Sequence, residues 1–292
     1  MNDFYFVLAG FFVGTVVGLT GVGGGSLMTP LLIFLFGVKP HLAVGTDLLF
    51  AAITKSGGTY TLWRQRLVPW RVVSHLSMGS IPGCLATIYV LNQYDLGSAE
   101  IEHVIKRTLG FALLLTAASL LYKVLRTSYS HAQKEAREVP GIEQLSQTKN
   151  TISISANVAL KSDQTVIDKE SLETNHPVLT VLLGLAIGSL VTLTSVGAGA
   201  IGVSVLMLLY PKLPLPRIVA ADIAYAVPLT LVAGLGHAGL GTVDWSLLLK
   251  LAVGSLPGIW VGAHFLSRTP ERLIRLGLSV LLAWAASKLI LV

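Results

Sequence analysis

The chain contains one cysteine, Cys84, which excludes an intrachain disulfide and a thiolate metal cage. Charge is also scarce: Asp, Glu, Lys and Arg make up 12% of the residues, against about 25% in an ordinary soluble domain. The net charge is +6. The basic residues lie in short loops between apolar blocks, so they read as an insertion signal and exclude a nucleic-acid-binding surface. H-E-x-x-H, G-x-S-x-G, a Gly-Lys-Ser/Thr nucleotide loop and any His/Asp cluster at metal spacing are all missing. The sequence therefore offers no motive for an enzyme, a cofactor or ATP hydrolysis. Met1, Asn2 and Asp3 form no basic n-region, and we read the apolar block after them as retained structure, not as a signal peptide.

What the chain does have is hydrophobic residues, 53% of 292, in long blocks instead of one stripe per helix. Lipid is the environment that suits such blocks. Ten stretches stand out: residues 4–20, 27–38, 42–63, 68–91 and 104–122, then 177–194, 201–210, 218–240, 245–266 and 273–292. A full span needs about 20 residues at about 1.5 Å each. The third, fourth, fifth, eighth, ninth and tenth reach that length, whereas the second and seventh are about half as long. Each of these two follows a glycine-rich break, Gly21-Val22-Gly23-Gly24-Gly25 and Gly197-Ala198-Gly199.

Residues 126–176 are different material, with six Lys/Arg, seven Asp/Glu and many Ser, Thr and Gln. We read them as a solvated linker between an N-terminal membrane repeat, 1–125, and a C-terminal one, 177–292. Residues 10–25 laid on 184–199 share eight of sixteen positions, and 46–83 laid on 221–258 share nine, both without a gap. The matches include Asp47 with Asp222, Trp70 with Trp245, and two copies of G-S-x-P-G at 79–83 and 254–258. Composition bias does not produce a shared intramembrane Asp at fixed spacing. The expected fold is an all-α polytopic membrane protein of two five-helix repeats. An odd number of stretches per repeat turns the second copy upside down. With the N-terminus outside, ten basic residues such as Arg64, Arg66 and Arg217 fall on inner loops and five, including Lys39 and Lys250, fall outside. This bias also places the linker in the cytoplasm.

Irregular backbone in hydrocarbon leaves N–H and C=O groups unpaired at several kcal/mol each, so it persists where it lines a cavity or binds something. A break followed by a half-length helix aims free N–H groups and a positive dipole end at mid-membrane, which suits an anion. Gly23, Gly24, Gly25 and the Ser26 hydroxyl in one half, and Gly197 and Gly199 in the other, are the candidate substrate contacts. Close helix packing through small residues is the competing explanation. Lys55 falls near the middle of the third stretch, where a charge costs roughly 2.5–3.5 kcal/mol and needs an anionic substrate or a counter-charge. Asp47 and Asp222 fit three roles: proton relay, charge partner for Lys55, or cap for a neighbouring broken helix. His237 suits either a titrating or anion-contacting role, or an interfacial ring bonded to a carbonyl. Trp70 and Trp245 are placed to anchor at the interface, and Pro82 and Pro257 to kink their helices.

The duplicated glycine break, Thr46-Asp47 with Lys55, Val68-Pro69-Trp70, Val243-Asp244-Trp245 and both G-S-x-P-G copies resemble the TauE/SafE sulfite-exporter-like permeases. The resemblance covers both halves and leaves out the linker. It implies a multi-pass permease of the bacterial cytoplasmic (inner) membrane for small sulfur-containing anions such as sulfite, thiosulfate or sulfonates. Thr46 joins the candidate substrate contacts, and Asp47 and Asp222, flanking the site on opposite sides, are the candidate coupling or gating residues. The expected partners are the lipid bilayer, the anion and a coupling proton or ion. An uncoupled anion channel, and a sensor or enzyme acting through the linker, are the rival readings.

Overall fold

The computed structural model describes residues 3–20, 25–94, 99–135, 177–197, 199–265 and 271–291. They form α1 (Asp3–Thr20), α2 (Gly25–Phe36), α3 (Pro40–Arg64), α4 (Trp70–Asn92) and α5 (Ala99–Glu135), followed by α6 (Pro177–Thr194), α7 (Ala200–Leu209), α8 (Leu215–Gly239), α9 (Trp245–Phe265) and α10 (Glu271–Leu291). No strand occurs among the described residues. Each apolar stretch has become one helix, with α2 and α7 the short ones at 12 and 10 residues.

One boundary differs from expectation. α5 runs 37 residues to Glu135, past residue 126, where the polar linker was placed. Ala132, Gln133, Lys134 and Glu135 are good helix formers, and no Gly or Pro interrupts the chain before Pro140. The remainder of that segment lies outside the described residues.

Segments within α5, α6, α8 and α9 are both long and apolar enough to cross a membrane. α3 and α4 have the length, 25 and 23 residues. Their lower hydropathy comes from polar residues, and in α3 Asp47 and Lys55 are buried in the protein interior. The opposite surfaces are apolar and open: Trp70 and Trp245 are more than half exposed, as are Leu208 and Trp260. In water such a surface would associate; in lipid it is the solvated face.

Glycine decides which helices meet. A Cβ added to Gly10 or Gly14 of α1 would strike the backbone of Leu251 or Ser255 on α9, and one on Gly254 or Gly258 would strike Val7 or Phe11. α4 and α6 repeat the arrangement, with Gly79 and Gly83 on Val181 and Leu185, and Gly184 and Gly188 on Leu76 and Ser80. These are small-xxx-small contacts that let two backbones touch. Residue numbers rise together along both pairs, so each pair is parallel. α3 and α8 instead run antiparallel, because Gly45 meets His237, Gly234 meets Leu49 and Gly58 meets Ile223. α1 therefore packs on a helix of the other half, as does α4. The pairings persist when the halves are exchanged: α1 with α9 corresponds to α6 with α4, while α3 with α8 and α5 with α10 map onto themselves.

A Val side chain at Gly79 or Gly254 should force its helix pair apart. Overpacking of this kind costs about 1–3 kcal/mol or more where a backbone must move. Gly79→Val and Gly254→Val should lower the yield of monodisperse protein in size-exclusion chromatography and its melting temperature, while Gly57→Ala, which meets nothing within 4 Å, should change neither.

Candidate functional site

The antiparallel pair α3 and α8 carries the buried charges. Asp47, Lys55 and Asp222 are 0%, 5% and 1% exposed. The sequence allowed Asp47 as the partner of Lys55, two turns along the same helix. The strongest electrostatic partner of Lys55 is instead Asp222 on α8, with Asp47 second. The antiparallel register brings this about by carrying a residue near the start of α8 alongside the later turns of α3.

A half-length helix of the same half meets each aspartate. On α2, Thr29 Oγ donates to Asp47 Oδ2 at 2.5 Å. On α7, Gly202 lies so close to Asp222 that any Cβ there would collide with Oδ1, with the Tyr225 hydroxyl beside it. The carboxylate of Asp222 thus sits against the first turn of α7, where the helix dipole favours negative charge. The N-cap of α7, Gly199, supplies no side-chain cap.

The second break joins this cluster through a residue that sequence reasoning missed. Between α6 and α7 the backbone turns into the left-handed region at Ser195 (φ 57°), Gly197 (φ 124°) and Gly199 (φ 144°). Glycine accepts such angles freely and serine does not. Thr194 Oγ holds the turn by accepting the Val196 N–H at 3.2 Å. Ser195 is buried and its hydroxyl faces Asp47. The repeat contained a signal for it, since Ser195 aligns with Gly21 and Tyr225 with Phe50. In both cases the second copy adds a hydroxyl. Thr29 carried no comparable signal.

Two other candidates make hydrogen bonds that tie helices together. His237, 2% exposed, donates Nε2–H to the Thr192 carbonyl at 2.9 Å, and its Nδ1 is 2.8 Å from Thr242 Oγ. Both nitrogens are engaged in tying α6, α8 and the α8–α9 turn together. Thr46 Oγ accepts the Asp244 N–H at 3.0 Å, and Asp244 Oδ1 in turn accepts the Leu247 N–H at 2.9 Å, capping α9. Gly25 and Ser26 open α2; Gly23 and Gly24 lie outside the described residues. A groove of about 330 Å³ between α5 and α7 is lined by Leu115, Ser119, Ile201, Ser204, Val205, Met207 and Leu208. Helical spacing puts this stripe on a different face of α7 from Gly202.

A bundle of apolar helices with interrupted segments and a charge cluster buried between its halves is a polytopic membrane protein of the transporter class. Residues 6–289 match the family described as "Sulfite exporter TauE/SafE", and the chain belongs to that family. It is 34% identical over 284 residues to "Probable membrane transporter protein YjnA" of Bacillus subtilis, covering 97% of this chain and 98% of that protein. It is 24% identical to YdhB of the same organism, covering 92% of each chain. Similarity to YunE is 25%, over 90% of this chain and 86% of the relative. No solved structure matches.

Removing one partner of a buried charge pair leaves the other uncompensated, at a cost of about 3–5 kcal/mol. Asp222→Asn should therefore lower thermal stability in detergent more than Asp47→Asn does. The double variant Lys55→Met/Asp222→Leu should recover most of the loss in a double-mutant cycle.

Proposed function

We propose that the chain is a secondary permease for small sulfur-containing anions, with sulfite, thiosulfate and sulfonates as the substrate class. Transport is coupled to protons or another ion and proceeds by alternating access. The observation that carries this reading is Lys55, buried on α3 and facing Asp222 across the boundary between the halves. A lysine in hydrocarbon is retained where its charge has a use. Here its charge and the first turn of α7 are held by the protein's own carboxylate. An incoming anion competes with Asp222 for both, and displacing it loosens a contact between the two halves. Binding is thereby linked to motion, as alternating access requires.

Inverted topology fits the same picture. The antiparallel course of α3 and α8, equivalent helices of the two repeats, supports it, as does the mirrored pairing of α1 with α9 and α6 with α4. The basic loops favour a bacterial cytoplasmic membrane location with the N-terminus outside and the linker in the cytoplasm. Gly197 and Gly199 supply backbone at the site's edge. Gly23, Gly24, Gly25 and Ser26 are assigned the corresponding role in the first half.

Purified protein in liposomes should take up at least one of labelled sulfite, thiosulfate or sulfoacetate in preference to sulfate, and uptake should respond to an imposed pH or sodium gradient. Lys55→Gln/Asp222→Asn, which removes both charges together and so spares the fold, should abolish uptake. Undiminished uptake by that variant would remove Lys55 from the site. Indifference to every imposed ion gradient would leave an uncoupled anion pathway.

A further inference from the structure

Repeat symmetry gives Asp47 and Asp222 the same position in their halves, yet their surroundings differ. Asp222 is the first electrostatic partner of Lys55. Asp47, fully buried, receives a hydrogen bond at Oδ2 from Thr29, and its Oδ1 accepts none. The Ser195 hydroxyl faces this carboxyl from the α6–α7 break, but its oxygen also makes no geometrically sound hydrogen bond. Two buried oxygens with unmet hydrogen-bonding capacity thus face one another, and Ser195 is held there by a left-handed backbone (φ 57°). Asp222 Oδ1 and the Tyr225 hydroxyl form the corresponding pair in the other half, but there the carboxylate also answers Lys55. A buried polar atom without a partner forfeits the hydrogen bond it would make in water. A strained backbone persists where the surroundings enforce it, and such sites are often functional.

A proton placed on Oδ1 removes the buried negative charge and turns the carboxyl from a pure acceptor into a donor toward Ser195 Oγ. Among the described residues, the charged group acting on Asp47 is Lys55 on its own helix; α2 brings Thr29 and the break brings Ser195, both neutral. We propose that Asp47 is the residue that takes up the coupling proton, with Ser195 and Thr29 positioning it, whereas Asp222 serves as the counter-charge of Lys55. This deepens the transport reading by naming the coupling ion and its carrier, and it depends on that reading for the proton's use. The division also gives the two halves different work. Ser195 is a positioning residue, and it belongs to the half opposite to Asp47, so relative motion of the halves separates the carboxyl from its hydroxyl and favours proton release.

The test reads the proton directly and needs no substrate. Infrared spectra of the purified full chain in lipid nanodiscs at neutral pH should contain the carbonyl stretch of a protonated carboxylic acid. The band should vanish in Asp47→Asn and persist in Lys55→Gln/Asp222→Asn, which removes the other carboxylate without leaving Lys55 unanswered. Ser195→Ala, a small change that spares the fold, should shift its frequency without removing it. Persistence of the band in Asp47→Asn, its absence from the wild type, or its loss on exchanging choline for sodium would overturn the proposal. The last outcome would make this pocket a cation site. A failure of every anion in the liposome panel would leave the band in place and count against the transport reading alone.

Discussion

Asp47, Lys55 and Asp222 share the interior between α3 and α8, and hydrocarbon surrounds the bundle that holds them. In such a medium a charge is stable only when another charge or dipole answers it. Lys55 is answered across the halves by Asp222, and Asp222 lies at the first turn of α7 as well. Much of the remaining architecture supplies this arrangement. α3 and α8 must run antiparallel to bring residues from such different depths together. The half-length helices must stop short to present Thr29 and Gly202. Close backbone contacts between α1 and α9, and between α4 and α6, join the two halves on either side.

The helix pairings of the frame recur, while its centre does not repeat. The glycine pairs on α1 with α9 and on α4 with α6 are near copies, since they answer one packing problem posed twice. At the centre the copies diverge. Phe50 stands opposite Tyr225, Gly21 opposite Ser195 and Lys55 opposite Thr230. Each exchange changes charge or hydroxyl content. A symmetric frame therefore holds an asymmetric site.

The ten helices were legible because hydrocarbon imposes length and apolarity on any segment that enters it, and each stretch became one helix. The short second and seventh stretches were legible for the same reason. Partner choice was not. G-x-x-x-G spacing announces that a backbone approaches, but Gly10 and Gly14 do not say that it belongs to α9. The counter-charge of Lys55 was legible only as an open role for the two aspartates. Spacing along one helix suggested Asp47, whereas the stronger partner depends on a register between helices far apart in the chain. His237 and Thr46 carried ambiguous signals, since a polar residue in an apolar helix looks alike whether it binds a ligand or ties the fold together. The bonds to Thr192 and Asp244 show what these two hold. The helical continuation of α5 to Glu135 was masked by polar composition, which speaks to solvation and not to backbone conformation.

The pairing of α1 with α9 has a bearing on how the molecule is made. α1 leaves the ribosome long before α9, the helix it packs against, has been synthesised. During translation Gly10 and Gly14 therefore face lipid or a chaperone, and the first half waits in the membrane with one flank unfilled. Biogenesis closes late, when α9 arrives beside a helix that has long since been inserted. A nascent chain stalled before residue 245 would lack that closing piece, which gives the quality-control machinery of the membrane a physical mark by which to tell finished copies from unfinished ones.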